Sequence, residues 1–457
     1  MVQLEATLKA INGFVWGPYL LVPLLLLTGL YLTVRLGGLQ FRVMGHAFWL
    51  AFIHRKEKGD VPGDVSHYQA LATALAATVG VGNIAGVAIA IGTGGPGALF
   101  WMWITGLAGM ATKYSEALLG VKYRRTDARG EQTGGPMNYL AFGVGGRLGR
   151  TLGAAFAVFG IIASFGIGNM VQANTAADQL ASTWQIDHAQ TGILLALATG
   201  AVILGGIRSI GRFAAAVVPV MIVLYILAAL TVLVVFAERL PGALLMVFRD
   251  AFTGSAAAGG FLGASVLIAI QMGVARGIFS NESGLGTGAI AAAAAKTSQP
   301  VRQAMVSMTQ TFTDTLIMVT LTALALIVTG AWSEPGLRGA PMTAWALEQG
   351  LGSGWGTYVV TVGVLVYAYT SMLGWSYYGE RCLESLWGRR AVFPYRVLFA
   401  VLAYVGCVLS LEAVWTFSDI ANGLMALPNL VGLLLLSGVV VRETRIYMAR
   451  EDWRRVD

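Results

Sequence analysis

Apolar residues fill eleven long segments of the chain, and charged residues are concentrated between them. A bilayer core of ~30 Å requires about 20 apolar residues in a helix, so each segment is predicted to be a membrane-spanning helix. We number these helices as span zero and spans one to ten. The predicted spans are 14–34, 68–92, 98–121, 151–177, 189–207, 213–237, 259–295, 303–329, 355–378, 393–411 and 413–441. We expect no cleaved signal segment, because span zero is too long for one.

The composition supports a multi-span membrane protein. Hydrophobic residues make up 56% of the 457 residues, charged residues make up only 12%, and the mean hydropathy is +0.70. A soluble fold of this size needs far more polar surface, so the composition excludes disorder, a coiled coil and an ordinary soluble enzyme. We therefore predict an all-α integral membrane fold that forms one transmembrane domain over residues 1–457.

Cysteine and histidine are too few and too scattered for a disulfide framework or a zinc site. The sequence contains two cysteines, Cys382 and Cys407, and no CxxC or HExxH motif. No nucleophile–base arrangement is visible either. We therefore expect neither an enzyme nor a resident metal. The net charge of +7 would suggest a nucleic-acid partner for a soluble protein, but here we expect none.

Positive charge alternates strongly between successive loops. One set of loops, together with the C-terminal tail, carries 24 of the Lys and Arg residues. The opposite set holds only Lys9, Arg239, Arg249 and Arg338. Because cytoplasmic loops are enriched in Lys and Arg, we expect the C-terminus in the cytoplasm, the N-terminus outside and an odd number of spans. The expected location is a bacterial-type cell membrane.

Two of the predicted spans are interrupted by glycine. Span one contains TVGVGNIAGVA at 78–88, and span six contains GVARGIFSNESGLGTGA at 273–289. Each glycine weakens a helix by ~1 kcal/mol relative to alanine, so a cluster of glycines favours local unwinding. Unwound backbone at mid-membrane depth is tolerated only where it is buried or lines a watery cavity. Close helix packing through the GxxxG pattern at 82–86 is the alternative interpretation.

The two interrupted spans occupy equivalent places in the chain. With span zero set aside, span one opens a first group of five spans (68–237) and span six opens a second group (259–441). Because five is odd, the two groups run in opposite directions, as in the inverted repeats of secondary transporters with a site at discontinuous helices. Free N–H groups at such interruptions bind anions, and freed carbonyl groups ligate a hard cation such as Na⁺.

Five sequence motifs resemble those of the alanine/glycine:cation symporter family. They are TALAATVGVGNIAGVA, GGPGALFWMW, GVARGIFSNESG, GWSYYGERC and FSDIANGLMALPNL, and they are distributed from about residue 68 to 441. The resemblance implies the five-plus-five fold of the leucine transporter with one extra N-terminal span. It also implies uptake of alanine or glycine coupled to sodium, or in some members to protons. We expect the protein to work as a monomer.

The resemblance implies which residues hold the co-transported sodium. The backbone carbonyl groups of Ala76 and Val79 in span one, together with the hydroxyl groups of Thr370 and Ser371 in span eight, resemble one sodium site. The residues alone leave an alternative open, in which each hydroxyl group bonds to a carbonyl group of its own helix.

A second group of residues is expected to contact the amino acid. This group comprises Thr78, Gly80, Gly82 and Asn83 in span one, Gln172 in span three, Met272, Gly273 and Val274 in span six, and Trp375 in span eight. Amides of span one would hold the carboxylate, and carbonyl groups around Gly273 would accept from the ammonium group. Trp375 would cap a pocket that suits only a small side chain. Gln172 and Trp375 have alternative roles in helix packing.

Ionisable residues inside spans are costly and are therefore candidates for function. We predict an ion pair between Arg276 and Asp314 that fixes the interrupted span six. Glu282 is predicted either to cap the second half of that span or to act as a proton-sensitive gate. Lys113 and Glu116 are predicted to pair on the helix surface and to extend towards the interface.

Two shorter segments, 41–53 and 137–150, mix apolar and basic residues. This mixture predicts amphipathic helices on the cytoplasmic surface.

The predicted function is sodium-coupled symport of alanine or glycine by alternating access. One alternative is coupling to protons, with Glu282 or Asp314 titrating. A second alternative, from another class, is an ion channel, which would conduct without coupling to a substrate.

Overall fold

The structure is a computed structural model, and it describes residues 2–17, 19–55, 57, 61–127, 130–204, 206–253, 262–450 and 453–454. Some positions that were counted among the 24 loop charges, or included in a predicted span, lie outside these described residues. They are Lys56, Lys58, Arg129 and Arg455 of the loop charges, and residues 259–261 of span six.

Twenty α-helices make up most of the described chain. They are α1 (Val2–Val15), α2 (Leu21–Arg35), α3 (Leu39–Phe48), α4 (His67–Thr78), α5 (Ala85–Gly94), α6 (Gly97–Lys122), α7 (Pro136–Asn138), α8 (Gly146–Phe165), α9 (Val171–Trp184), α10 (His188–Ile203), α11 (Gly206–Val235), α12 (Leu240–Thr253), α13 (Leu262–Asn281), α14 (Thr287–Ala293), α15 (Pro300–Thr311), α16 (Thr320–Thr329), α17 (Gly339–Leu351), α18 (Trp355–Trp387), α19 (Val392–Val408) and α20 (Leu411–Met448). Four π-helical stretches extend or join them, at Trp49–His54, Tyr139–Val144, Gly166–Met170 and Phe312–Val319. Two short strands, β1 (Arg125–Thr126) and β2 (Gln132–Thr133), pair antiparallel.

The predicted spans fall on helices, but helix length and composition account for fewer than eleven crossings. Within the described ranges, six helices are long and apolar enough to cross a membrane, or up to eight if each of two bent pairs forms one span. The structure also contains α1, α12 and α17, which the apolar pattern did not predict. Each of these three helices is shorter than a membrane span, so a search for long apolar segments passes over it.

One of the two predicted surface segments is confirmed as a helix. Leu39–His54 continues the chain after α2 at a bend of 82°. The other segment, 137–150, is confirmed in part. It is helical on both sides of Gly145, and Phe142 and Leu148 are 48% and 58% exposed, but Tyr139 and Leu140 are fully buried. The start of this segment therefore packs inside the bundle, and its later part lies at the surface.

The two interrupted spans pack against each other near the centre of the bundle. α4 contacts α14 and α5 contacts α13, so the two spans run in opposite directions. Just before α4, the N–H groups of Asp64 and Val65 donate to the carbonyl oxygen of Ala294 at 2.8 and 3.1 Å. The N–H group of Lys296 donates back to the carbonyl oxygen of Val65 at 2.7 Å. α6, α15 and α18 pack around this pair of spans.

Small residues let the surrounding helices approach the interrupted spans closely. A Cβ atom placed on Gly374 of α18 would lie 2.8 Å from Cβ of Ala77. A Cβ atom on Gly120 of α6 would lie 2.6 Å from the carbonyl oxygen of Ala289. Lipid tails are as apolar as leucine, so helix association in a bilayer depends on such close packing and on hydrogen bonds. These contacts hold α18 and α6 against the two interruptions.

Candidate functional site

The first interruption separates α4 from α5. α4 ends at Thr78, one 3-10 turn covers Val81–Asn83, and α5 begins at Ala85 after a bend of 55°. The turn is closed locally, because Oδ1 of Asn83 accepts a hydrogen bond from the N–H group of Gly80 at 3.1 Å. The interruption predicted in span one is therefore confirmed, and it is buried inside the protein.

The second interruption, between α13 and α14, is wider. α13 ends at Asn281, and α14 begins at Thr287. Glu282, Gly284 and Gly286 between them have positive φ angles of 56°, 96° and 85°. Glycine adopts this left-handed backbone without steric cost, whereas it is uncommon for a glutamate. The interruption predicted in span six is confirmed, and it lies towards the end of the glycine-rich stretch.

A carboxylate from a neighbouring helix accepts hydrogen bonds from two of the N–H groups that the second interruption frees. Oε1 of Glu116 on α6 accepts from the N–H groups of Gly284 and Gly286 at 2.9 and 3.0 Å. The same oxygen accepts from Nδ2 of Asn429 at 2.8 Å. Hydrogen bonds to an ionised acceptor are roughly twice as strong as neutral ones, so Glu116 fixes the shape of this turn.

Two predictions for ionisable residues need correction here. Lys113 and Glu116 do approach each other, at 4.0 Å, but both side chains are 0% exposed, so their predicted extension to the interface is wrong. Nζ of Lys113 donates instead to the carbonyl oxygen of Glu282 at 3.2 Å. The carboxylate of Glu282 accepts from the Thr287 hydroxyl group at 2.6 Å. The backbone cap that we predicted for Glu282 is thus provided by Glu116.

Asp314 connects the two interruptions. It lies in the π-helical stretch Phe312–Val319 and is fully buried. One oxygen accepts from Nδ2 of Asn83 at 2.8 Å and from the Ser280 hydroxyl group at 3.0 Å. The other accepts from the Thr315 hydroxyl group at 2.9 Å. A single carboxylate therefore holds the turn of span one beside the end of α13.

The structure brings part of the predicted cation site together. The Ser371 hydroxyl group donates to the carbonyl oxygen of Ala76 at 3.0 Å, and Val79 is fully buried beside the interruption. A Cβ atom on Gly80 would lie 2.4 Å from Oγ of Ser371, so α18 directly abuts the turn. The Thr370 hydroxyl group donates within its own helix, to the carbonyl oxygens of residues 366 and 367 at 3.0 and 3.1 Å. The lone pairs of the Thr370 hydroxyl oxygen are not used in this donation and are available to an acceptor role.

Gln172 lies at the first interruption, as predicted, and the structure defines its partners. Its Oε1 accepts from the N–H group of Val81 at 3.3 Å, and its Nε2 donates to the carbonyl oxygen of Ile167 at 3.0 Å. The π-helical stretch Gly166–Met170 precedes it in span three. The neutral amide of Gln172 therefore bonds to a backbone donor of the turn.

Thr78, also predicted to face the substrate, donates within its own helix to the carbonyl oxygen of Ala74 at 2.9 Å.

Aromatic residues enclose both interruptions. Trp375 is 1% exposed and packs closely on span three. A Cβ atom placed on Gly168 would lie only 2.3 Å from the Cβ atom of Trp375. Its ring centroid lies 5.7 Å from that of Tyr378. A Cβ atom on Gly82 would lie 3.0 Å from the ring of Phe279 in α13. Trp375 is thus packed tightly between span three and its own helix, and its predicted role as a cap over the substrate pocket stays a prediction.

The prediction of free carbonyl groups around Gly273 is wrong. Met272, Gly273 and Val274 lie within the continuous helix α13, well before the interruption. A Cβ atom on Gly273 would lie 2.5 Å from the carbonyl oxygen of Ala98, so this glycine allows α13 to pack on α6. Close packing and local unwinding both select glycine, and the sequence does not distinguish the two causes.

The predicted ion pair between Arg276 and Asp314 is also wrong. Nη2 of Arg276 lies 2.5 Å from Oδ2 of Asp419 on α20. The guanidinium carbon of Arg276 lies 4.8 Å from the ring centroid of Trp415, a further favourable contact for a cation. The pair therefore connects α13 to α20, and Asp314 is stabilised by neutral donors instead.

Comparisons with known proteins agree with this arrangement. The model of the sodium:alanine symporter family matches residues 1–455. The chain belongs to this family. It is 51% identical to "Sodium/alanine symporter AgcS" of Methanococcus maripaludis over 444 aligned residues. The alignment covers 96% of each protein. It is 37% identical to "Probable sodium/glutamine symporter GlnT" of Bacillus subtilis over 446 aligned residues. That alignment covers 97% of this chain and 91% of GlnT.

A solved structure supports the fold. The crystal structure of MhsT in complex with L-phenylalanine matches with a TM-score of 0.59, covering 85% of this chain and 99% of MhsT at 13% identity. The predicted resemblance to leucine-transporter-type proteins is therefore confirmed for the fold. Membership of the sodium:alanine symporter family makes this chain a multi-pass membrane transporter and not an enzyme.

Proposed function

We propose that this protein couples the entry of Na⁺ to the uptake of a small neutral amino acid, alanine or glycine, by alternating access. One observation carries the proposal. The hydroxyl group of Ser371 on α18 donates a hydrogen bond to the carbonyl oxygen of Ala76, beside the first interruption. The names of the family and of AgcS support sodium and alanine.

In this proposal the co-transported Na⁺ binds between α4 and α18. Its oxygen ligands are the carbonyl groups of Ala76 and Val79 and the hydroxyl groups of Thr370 and Ser371. Hard cations prefer such oxygen ligands. Ser371 gives up its hydrogen bond to Ala76 when the ion binds, so that both oxygens turn to the cation.

The amino acid binds beside the ion at the same interruption. Gly80, Gly82 and Asn83 present backbone and side-chain groups of the turn, and Thr78 and Gln172 flank them. We propose that the substrate carboxylate replaces Oε1 of Gln172 as the acceptor for the N–H group of Val81, because an anion is a stronger acceptor than a neutral amide. Trp375 limits the volume available to the side chain.

The broader architecture belongs to the same proposal. It comprises eleven spans, with an extra span at 14–34 and two inverted repeats at 68–237 and 259–441, in a monomer. The antiparallel packing of the two interrupted spans supports the inversion. The distribution of Lys and Arg supports an external N-terminus and a cytoplasmic C-terminus.

The membrane potential alone makes such transport effective. One positive charge that crosses ~100 mV supplies about 2.3 kcal/mol. This energy corresponds to roughly forty-fold accumulation of the substrate. A zwitterionic amino acid adds no net charge, so transport with one Na⁺ is expected to be electrogenic.

Uptake of labelled alanine into proteoliposomes tests the proposal. We expect uptake to require an inward Na⁺ gradient and to cease when choline replaces Na⁺ at fixed pH. Uptake that persists in choline and follows a pH gradient would instead favour proton coupling through Glu282 or Asp314. Conductance without alanine-dependent coupling would favour a channel. Unlabelled glycine and glutamine, as competitors, define the substrate range.

Two substitutions test the assigned site. We expect Thr370→Val and Asn83→Leu to abolish Na⁺-driven uptake, because each removes polar groups at the first interruption and keeps a similar volume. Thr370→Ser, which keeps the hydroxyl group, is the matched control and should retain uptake. Normal uptake in both test variants would refute the assignment.

A further inference from the structure

A groove rich in arginine lies where three helices end or begin. It has a volume of about 420 Å³ and lies between the end of α2, the start of α3 and the end of α20. We call it the arginine groove. Its basic residues are Arg35, Arg42, Arg445 and Arg454, and Trp453 also lines it.

The described residues that line the arginine groove carry positive charge only. Among the described residues that line it, none is acidic, and none of its four arginines forms an ion pair with a described carboxylate. Arg35 donates to the hydroxyl group of Tyr31 at 2.7 Å, which leaves its charge in place. Burial lowers the pKa of the neighbouring His46 imidazole, and the positive charges of Arg454 and Arg302 lower it further. Four guanidinium groups at one groove attract an anion.

The groove lies at a boundary between apolar and polar surface. α2 ends there, and the following helix, Leu39–His54, is bent by 82° relative to α2. The large apolar side chains of Val34, Phe41 and Ile446 are 70%, 60% and 61% exposed nearby in the chain. A helix that turns sharply at the end of a span and exposes apolar side chains is typical of the membrane interface.

We propose that the arginine groove binds the headgroup of an anionic phospholipid. Guanidinium groups bind phosphate oxygens in a bidentate manner, and basic pockets beside membrane helices hold anionic headgroups. The exposed apolar residues Val34 and Ile446 would contact the acyl chains, which favours a lipid over a free phosphate ion. This assignment is independent of the transported substrate, since the groove is separate from the two interruptions.

Native mass spectrometry and thermal unfolding of the purified full chain test this proposal. The probes are phosphatidylglycerol and cardiolipin, with phosphatidylcholine as the zwitterionic comparison and inorganic phosphate as the free anion. We expect the two anionic lipids to bind and to raise the unfolding temperature. Phosphatidylcholine and inorganic phosphate should have little effect.

The double variant Arg42→Gln/Arg445→Gln locates the site. Each basic residue near a membrane surface strengthens the binding of anionic lipid about fivefold, so we expect about thirtyfold weaker binding when two are removed. Arg147→Gln/Arg390→Gln is the matched control, because both residues are exposed, lie outside the groove and are predicted to be on the same side of the membrane.

Three results would overturn the proposal. Equal binding of phosphatidylcholine would show that charge is not recognised. Equal loss in the control variant would show a general surface effect. An equal rise in unfolding temperature with inorganic phosphate would assign the groove to a free anion instead of a lipid.

Discussion

The two interruptions are closed by different chemistry. At the first, the side chains that bond to the freed N–H groups are neutral amides, from Asn83 and Gln172. At the second, the carboxylate of Glu116 accepts from two of the freed N–H groups, with Lys113 beside it, while the amide of Asn281 accepts from that of Ser283. Both turns are buried, so solvent exposure does not explain the contrast.

The difference suggests a division of roles between the two turns. A neutral amide makes a modest hydrogen bond that an incoming anion displaces easily. A buried carboxylate that accepts several hydrogen bonds is much harder to displace, because its charge would be left unpaired. We infer that the first turn exchanges its partners during transport, and that the second turn anchors the helices around it. Asp314 joins the exchanging turn to the anchored one.

The largest effect is expected from Glu116→Ala. This change removes the acceptor of two backbone N–H groups and the carboxylate that lies 4.0 Å from Lys113. Breaking a buried charged pair costs about 3 to 5 kcal/mol. Thermal unfolding in detergent should show a strongly lowered midpoint. Uptake should also be lost, because little folded protein remains.

Glu116→Gln is the control for this first prediction. It keeps a carbonyl oxygen for Gly284 and Gly286 but removes the charge, so we expect an intermediate loss of stability. If Glu116→Ala unfolds at the same temperature as the natural protein, the second turn is not anchored by this carboxylate and the proposed contrast fails.

Much of this arrangement could be predicted from the sequence, because it depends on local composition. Glycine clusters in spans one and six are unusual, and they indicated both interruptions. Gln172 was identified because an amide at membrane depth is rare. Family motifs that extend over most of the chain indicated the fold without any contact information.

The partners of buried charges could not be predicted in the same way. Arg276 and Asp314 lie on consecutive spans, which suggested a pair, but the partner of Arg276 is Asp419, 143 positions away. The charges of Lys113 and Glu116 were visible in the sequence, yet nothing local showed that an interruption lies against them. Long-range packing decides such partners, and hydrophobic periodicity does not encode it.

Gly80→Ala tests the first turn and is expected to have the next largest effect. The new Cβ atom would lie 2.4 Å from Oγ of Ser371 and 3.1 Å from Oε1 of Gln172. Overpacking of this kind costs about 1 to 3 kcal/mol. We expect a folded protein with a modestly lowered unfolding midpoint but no Na⁺-driven uptake of alanine.

The double variant Gly80→Ala/Ser371→Gly separates the two causes of that loss. It restores space beside the turn, so the unfolding midpoint should recover. Uptake should stay absent, because the Ser371 hydroxyl group is a proposed sodium ligand. Recovery of both properties would mean that Ser371 only packs against the turn.

The smallest effect is expected from Thr287→Val, which probes how firmly the second turn is held by its own helix. The Thr287 hydroxyl group donates to the Glu282 carboxylate at 2.6 Å, across the interruption. Side-chain hydrogen bonds inside membrane proteins contribute about 0.6 kcal/mol on average, and Lys113 still holds the backbone of Glu282. We therefore expect a shift of the unfolding midpoint of a few degrees at most, with uptake largely retained, while Thr287→Ser should match the natural protein. A loss as large as that of Glu116→Ala would mean that Glu282 and Thr287, within span six itself, anchor the second turn.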